Sequence, residues 1–244
     1  MFTLEQLDKQ VIFEDNHLLA VNKLTSQIVQ GDKTGDIPLS DLYKEYLKEK
    51  YNKPGNVFCG VIHRLDRPVS GVVVLAKTSK ALSRMNELFR DRNIQKIYWA
   101  VVRGVPKQPE ATLVHYLKKN EKDNRSFTIK DNTNGSLRCE LSYKVLKAGD
   151  NYSLLEVKPL TGRHHQIRVQ LSSIGCPIAG DVKYGDRRSN EDKSICLHAR
   201  QLIFDHPVQK ERVTLTASTP NQKYWNIFRD IDQNPAIAPK TEKS

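Results

Sequence analysis

An aspartate enclosed by basic side chains is the most chemically suggestive feature of the chain. His63-Arg64-Leu65-Asp66-Arg67-Pro68-Val69-Ser70-Gly71 runs directly into the apolar stretch Val72-Val73-Val74-Leu75-Ala76. A carboxylate beside guanidinium groups is held in its ionised form. Asp66 is therefore a poor general acid but a standing nucleophile or charge anchor. Pro68 and Gly71 mark a loop ahead of a buried strand, and loops carried on a rigid sheet keep reactive groups both fixed and accessible. The same residues also suit a structural ion pair, so the loop alone does not decide between the two.

A second constellation is Thr161-Gly162-Arg163-His164-His165-Gln166-Ile167-Arg168, continuing to Leu171, Ile174 and Gly175. Ile167, Leu171 and Ile174 stand at i, i+4 and i+7, which predicts a helix over about 164–174 with Gly175 at its exit and Thr161 beginning its cap. Arg163 and two titratable histidines then crowd the helix start, where a cation meets the positive end of the dipole at a cost of about 0.3–1 kcal/mol. Something negative should offset it. A bound phosphate would do so, as would an internal carboxylate such as Asp66, while exposed cations of little consequence are the bland alternative.

The third feature is Gln95-Lys96-Ile97-Tyr98-Trp99-Ala100-Val101-Val102. Strand alternation puts Ile97, Trp99 and Val101 on one face and Lys96, Tyr98 and Ala100 on the other. An aromatic ring among basic groups can stack on a nucleobase. A tyrosine on a half-buried strand can equally be plain packing.

The elements that must position these groups follow from periodicity. Val11–Phe13 and Leu18–Val21 read as a hairpin around Glu14-Asp15-Asn16-His17, and Leu39–Tyr51 as an amphipathic helix. A second helix carries Leu82, Met85, Leu88 and Phe89, capped by Thr78 or Ser79 and ending near Asn93, with Met85 in the core. Strands are expected at Ile94–Val102, Leu137–Leu146, Tyr152–Val157, Ile195–Leu197, Leu202–Phe204 and Val213–Ala217. The polar stretch from Lys118 to Arg125 reads as an exposed hairpin arm, and residues 131–135 as a second polar loop.

The chain has 244 residues and a formal net charge of +11 with mixed signs, which indicates a folded body with basic faces and an anionic partner. Cys59, Cys139, Cys176 and Cys196 form no C-x-x-C pair, so buried thiols are expected rather than a zinc site or disulfides. No segment approaches a membrane span, and the amino terminus does not read as a signal peptide, which fits a cytoplasmic protein. The expected organisation is a short extension over residues 1–10, a single catalytic domain over 11–231 and a frayed polar tail over 232–244.

Together these segments resemble the RluA-type family of RNA pseudouridine synthases. His63-Arg64-Leu65-Asp66 with Ser70-Gly71 and Ala76-Lys77 is similar to that family's H-R-L-D-x-x-x-S-G…A-K signature. Lys96-x-Tyr98 and Gly162-Arg163-x-His165-Gln166-Ile167-Arg168 match its other two motifs, and Gly180-Asp181, Tyr184-Gly185, Leu197-His198-Ala199 and His206-Pro207 extend the likeness. The resemblance implies an α+β fold, a mixed, largely antiparallel β-sheet core with flanking helices and a central catalytic cleft, that converts uridine to pseudouridine in ribosomal or transfer RNA. It implies no cofactor; no metal, membrane or obligate protein partner is expected from the residues, and a monomer is the simpler expectation.

On the same basis Asp66 is the catalytic nucleophile, Arg168 its counter-ion, and Tyr98 the ring that stacks on uracil and is a candidate to take the proton from the base carbon. Arg64, Arg163 and His165 are assigned to RNA, as are Lys118, Lys119 and Lys122 on the arm. Leu197 is a candidate apolar wall under the base, with a simple core role as its alternative. Two positions depart from the family pattern. Leu24 stands after Asn22-Lys23 where proline is common, which predicts a looser turn. Val69 removes a hydroxyl from the loop. Two rival readings are a non-catalytic RNA-binding protein that retains the fold, which predicts a degraded site, and a sugar hydrolase, which needs a second carboxylate.

Overall fold

The computed structural model describes residues 2–130 and 135–232. The expected polar loop at 131–134 and the tail from 233 onward lie outside the described residues. The chain opens with helix α1 (Leu4–Asp8), strands β1 (Val11–Glu14) and β2 (Leu18–Lys23), and helix α2 (Leu39–Lys50). Strands β3 (Gly60–Val61) and β4 (Ser70–Ala76) and helix α3 (Ser79–Arg90) follow. Then come β5 (Gln95–Arg103), β6 (Glu110–Asn120), β7 (Arg125–Ile129), β8 (Leu137–Ala148), β9 (Tyr152–Pro159) and α4 (Gln166–Ser173). A 3-10 turn at Val182–Tyr184, strands β10 (Leu197–Asp205) and β11 (Arg212–Thr216), and short helices α5 (Lys223–Asn226) and α6 (Arg229–Asp232) complete the described elements. The described residues form two compact units, one from the residues through Gln95 with Ala199–Pro220, the other from Lys96–His198 with residues 221–232.

In the first unit Asp15 makes the hairpin turn, its Oδ1 accepting the backbone N–H groups of His17 and Leu18, both at 2.7 Å. Strand β2 pairs antiparallel with β4 from Leu18↔Ala76 to Lys23↔Gly71. Every residue of β4 is buried, as its unbroken apolar run requires of a strand covered on both faces. Leu18, Val72, Val74, Met85, Phe204 and Leu215 share one core with their neighbours, so Met85 is packing, as its helical spacing predicts. Helix α3 begins where expected, with Thr78 Oγ1 accepting the Ala81 N–H. The first ten residues also carry structure. Thr3 and Gln6 close a capping box on α1, and Tyr43 of α2 donates to the Leu7 carbonyl.

Gly71, second residue of β4, sits at φ +117° with the Ala199 backbone so close that a β-carbon would lie 2.3 Å from the Ala199 carbonyl oxygen. Only glycine fits both demands. Gly71→Ala is expected to lower stability by about 2 kcal/mol or more, read as a shifted urea midpoint at unchanged slope; an unshifted midpoint would show that the two backbones can separate cheaply.

In the second unit the strand order is β5-β9-β8-β6-β7, with the pairs β5–β9, β8–β9, β6–β8 and β6–β7 all antiparallel. Helix α4 packs on this sheet through Val169, with Leu117, Cys139 and Tyr184 around it. Strands β5, β8 and β9 fall where β-branched and aromatic residues predict them. The stretches 195–197 and 202–204, expected as separate strands, belong to a region in which β10 runs unbroken from 197 to 205. His198 and Arg200 interrupt the apolar pattern yet are buried, with Arg200 bonded to the Ala217 carbonyl and His198 edge-on to Trp225. All four cysteines are buried thiols, as expected.

The charged arm is the hairpin β6–β7. Its tip is tied down: Lys183 donates to the Asp123 and Asn124 carbonyls at 3.0 and 3.1 Å, and Asn120 bonds the Lys122 N–H and Asp123.

Candidate active site

The Asp66 loop joins β3 to β4 and is held by its backbone. Val69 N–H donates to the Asp66 carbonyl at 3.0 Å, closing a turn over Arg67 and Pro68. Beneath it lies Lys23, fully buried at the end of β2. Its ammonium donates to the carbonyls of Val69 at 2.6 Å, Leu24 at 2.9 Å and Arg67 at 3.3 Å. Three acceptors match the three protons of an ammonium group. The residue is thus a cationic floor under the aspartate's loop.

The rest of the motif is structural support. Leu65 is buried, and His63 Nε2 accepts the Val74 N–H at 3.0 Å while its ring stacks on Phe89 at 4.9 Å. Arg67 binds Asp32, Thr34 and Asp36 on the neighbouring loop, while Arg64 is exposed. The turn after Lys23 is closed rather than loose: Leu24 N–H donates to Gln27 Oε1 at 2.8 Å, a bond that proline could not make. Val69 needs no hydroxyl, since both its backbone polar groups are bonded, its N–H to the Asp66 carbonyl and its carbonyl to Lys23.

Burial drives the Lys23 pKa down to about 7, opposed by the Asp66 carboxylate and reinforced by Arg67. The Asp66 carboxylate thus favours the charged form of Lys23 against the pull of burial. A lysine with a folded-state pKa below its unfolded value costs stability wherever it is forced to stay protonated. Between the two values the unfolded chain holds the extra proton, so stability rises with pH. From about pH 7 to 8.5 the unfolding free energy should climb by up to about 1.4 kcal/mol per pH unit. Above that, the thiols of Cys59 and Cys196, pushed up to about 12 by burial, act in the opposite sense. Urea unfolding across this range should show the climb in wild type and not in Lys23→Met; parallel curves would remove the charge from the account.

In the second unit Tyr98 is half-buried on β5, facing away from the buried Ile97 and Trp99 and paired with Val157 of β9. Arg168, in the first turns of α4, is buried and holds Asp181 through two parallel bonds, Nε to Oδ2 at 2.7 Å and Nη2 to Oδ1 at 2.8 Å. Its guanidinium also lies 4.8 Å from the Tyr184 ring. Within its own unit Arg168 has Asp181 as its carboxylate partner. That carboxylate went unnoticed as a functional group because thirteen positions and a glycine turn separate it from Arg168, a spacing without periodic signature.

The start of α4 differs from its expected form. The helix begins at Gln166, two residues late, and its N-cap His165 sits in the left-handed region at φ +53°. Thr161 does not cap it directly. Its hydroxyl donates to Gln166 Oε1 at 2.8 Å, and the same oxygen accepts the Arg163 N–H at 3.0 Å. His165 is not a cation either: burial, then the charges of Arg168 and neighbouring groups, pull its pKa down to about 2. Its Nδ1 lies 2.8 Å from the Tyr184 hydroxyl and its ring stacks on His164 at 3.8 Å. The expected clash between His165 and the helix dipole is absent because the imidazole is neutral.

The remaining assigned residues are placed as follows. Arg163 is exposed, with Nε directed at the Arg138 carbonyl at 3.4 Å. Lys118, Lys119 and Lys122 are exposed on the hairpin, and Lys119 pairs with Glu121 at 2.6 Å. Leu197 is buried at the start of β10. No helix among the described residues is long and apolar enough to cross a membrane, and none of the described His, Cys, Asp and Glu groups forms a cluster able to hold a metal ion.

Comparison with known proteins identifies the family. A family model described as RNA pseudouridylate synthase matches residues 17–173. The chain is 33% identical over 221 residues to ribosomal large subunit pseudouridine synthase C of Vibrio parahaemolyticus, covering 87% of this chain and 66% of that protein. It is 31% identical over 219 residues to an uncharacterized RNA pseudouridine synthase of Bacillus subtilis, covering 88% and 71%. The chain thus spans about two thirds of the length of these relatives. Among solved structures, human RNA pseudouridylate synthase domain containing 4 superposes with a TM-score of 0.75 at 26% identity, covering 89% of this chain and 91% of that one. Human RNA pseudouridylate synthase domain containing 1 does so with a TM-score of 0.69 at 26% identity, covering 96% and 98%. Motifs, antiparallel architecture and sequence relationship converge, and the chain belongs to the RNA pseudouridylate synthase family, enzymes that isomerise uridine within RNA.

Proposed function

We propose that the protein converts uridines of large-subunit ribosomal RNA to pseudouridine, with Asp66 as nucleophile. The observation that carries the reading is the Asp66 loop, whose Arg67 and Val69 carbonyls are held by the buried Lys23 amine. The bond from N1 of uracil to the ribose breaks, the base turns, and its C5 bonds to the same ribose carbon. The proton on C5 leaves and N1 gains one, so no redox partner or cofactor enters the balance. Asp66 either attacks the sugar carbon or takes a proton from the sugar; both routes need its charged form.

Tyr98 stacks on the uracil and is the candidate acceptor of the C5 proton. Arg168 is the cationic member of the catalytic set, and Leu197 the apolar wall. Turning the target nucleotide out of a stem costs a few kcal/mol, which stacking and phosphate contacts recover. Arg64, Arg163, Lys118, Lys119 and Lys122 supply phosphate contacts, and His165, neutral, serves as a hydrogen-bonding or stacking group. The protein acts in the cytoplasm, a reading supported by its four buried free thiols, and as a monomer, the simpler arrangement.

The choice of ribosomal RNA rests on the named relative from Vibrio parahaemolyticus. Mapping pseudouridine in total RNA from cells with and without the gene tests it. Loss of one or more large-subunit sites is the expected result. Loss confined to transfer RNA would overturn the substrate, and loss of none would overturn the activity.

A further inference from the structure

The hairpin β6–β7 has one face packed and one face open. Leu117, Ser126 and Cys139 point inward and are buried. The register Lys118↔Phe127, Tyr116↔Ile129 and Tyr116↔Arg138 sets these other residues side by side on the outward face, because paired residues project to the same side. Phe127 is 43% exposed there. It stands directly across from the exposed Lys118, and the Arg138 side chain, 52% exposed, lies one strand further on, bonded to Glu140 at 2.7 Å.

A single exposed apolar side chain is ordinary on a protein surface, but here the register groups two rings, Phe127 and Tyr116, with two cations, Lys118 and Arg138. Rings interleaved with cations on a flat sheet are the surface on which unpaired bases stack while the backbone phosphates meet the charges. We propose that this outward face, centred on Phe127 with Tyr116, Lys118 and Arg138, is a stacking platform for a single-stranded segment of the RNA substrate, separate from the reacting uridine. The proposal rests on the reading of the protein as an RNA-modifying enzyme and adds where and how a flanking segment is held.

The face also divides the lysines. Lys118 shares it with Phe127, whereas Lys119 projects to the opposite side and is engaged by Glu121.

Anisotropy with a short labelled oligoadenylate, and with an abasic strand of the same length, tests the platform. Phe127→Ala should weaken oligoadenylate binding roughly ten-fold and leave the abasic strand unchanged. Phe127→Trp should retain affinity, and its new indole fluorescence should be quenched by oligoadenylate. Lys118→Ala should weaken both probes and lower the salt slope by about one. Lys119→Ala should have the smaller effect.

Equal affinity of wild type and Phe127→Ala for oligoadenylate overturns the platform, as does an equal loss on both probes. A wild-type dimer that Phe127→Ala dissolves in sedimentation overturns it too, making the face an interface between copies. Pseudouridine formation on ribosomal RNA, assayed alongside, separates the two readings. Modification with unaltered oligoadenylate binding removes the platform alone; base-dependent binding without modification by wild type supports the platform and removes the enzyme reading alone.

Discussion

Replacing Asp66 by asparagine should reduce pseudouridine formation on the order of 10⁴-fold, with folding and RNA affinity almost unchanged. Asparagine keeps the shape and removes the charge, and a neutral amide neither attacks carbon nor accepts a proton. Asp66 is half-buried, and the backbone of its loop is secured by Lys23 through the carbonyls of Arg67 and Val69, bonds that the replacement leaves in place. The stability cost should therefore stay within about 1 kcal/mol. RNA affinity should hold or rise slightly, because a negative charge has been taken from a surface that meets phosphates. Asp66→Glu should not rescue, since displacing a reactive group by about 1 Å can cost 10²-fold. Single-turnover assays with excess enzyme give the chemical step directly. Activity of Asp66→Asn within ten-fold of wild type would remove this residue from the mechanism.

The second large effect belongs to Arg168 and Asp181. Both side chains are almost wholly buried and joined by two parallel hydrogen bonds. Removing one partner of a buried pair strands charge in a poor solvent, which costs about 3–5 kcal/mol. For a chain of this size that lowers Tm by roughly 10 °C. Arg168→Met and Asp181→Leu should each show this loss, measured by calorimetry. The double replacement should recover most of it, because apolar groups of similar volume tolerate the site that a lone ion does not. Turnover should not recover. If Arg168 serves only packing, the stabilised double variant will isomerise uridine normally and the catalytic assignment fails. RNA affinity in the double variant should fall far less than turnover, since one buried charge is not among the phosphate contacts.

Much of the first unit was legible because its signals are local. The β1–β2 turn is announced by Asp15, the α3 start by Thr78, and β4 by an apolar run too short for a helix. Strand β6 was not, because its alternation is weak: the outward face carries Val114 and Tyr116 as well as Lys118, so apolar content does not distinguish the two sides. Strand β10 was split in reading by His198 and Arg200, polar residues whose burial is sustained by tertiary partners. In the site, the motif residues were readable by type and spacing. Lys23 carried one faint signal, a lone charge ending an apolar strand. Asp181 showed only as part of the Gly180-Asp181 likeness, without its pairing to Arg168, and the neutral state of His165 carried no signal, since both depend on groups brought near only by folding.

The bonds from Lys183 to the hairpin tip have a thermodynamic consequence. An arm that fluctuated in solution would lose backbone freedom on gripping a ligand, at about 1–2 kcal/mol for each residue ordered. Here the Asp123 and Asn124 carbonyls already accept bonds from Lys183 in the unbound protein. Association through this arm is therefore preorganised: little ordering penalty is left to subtract, and more of the contact energy appears as affinity.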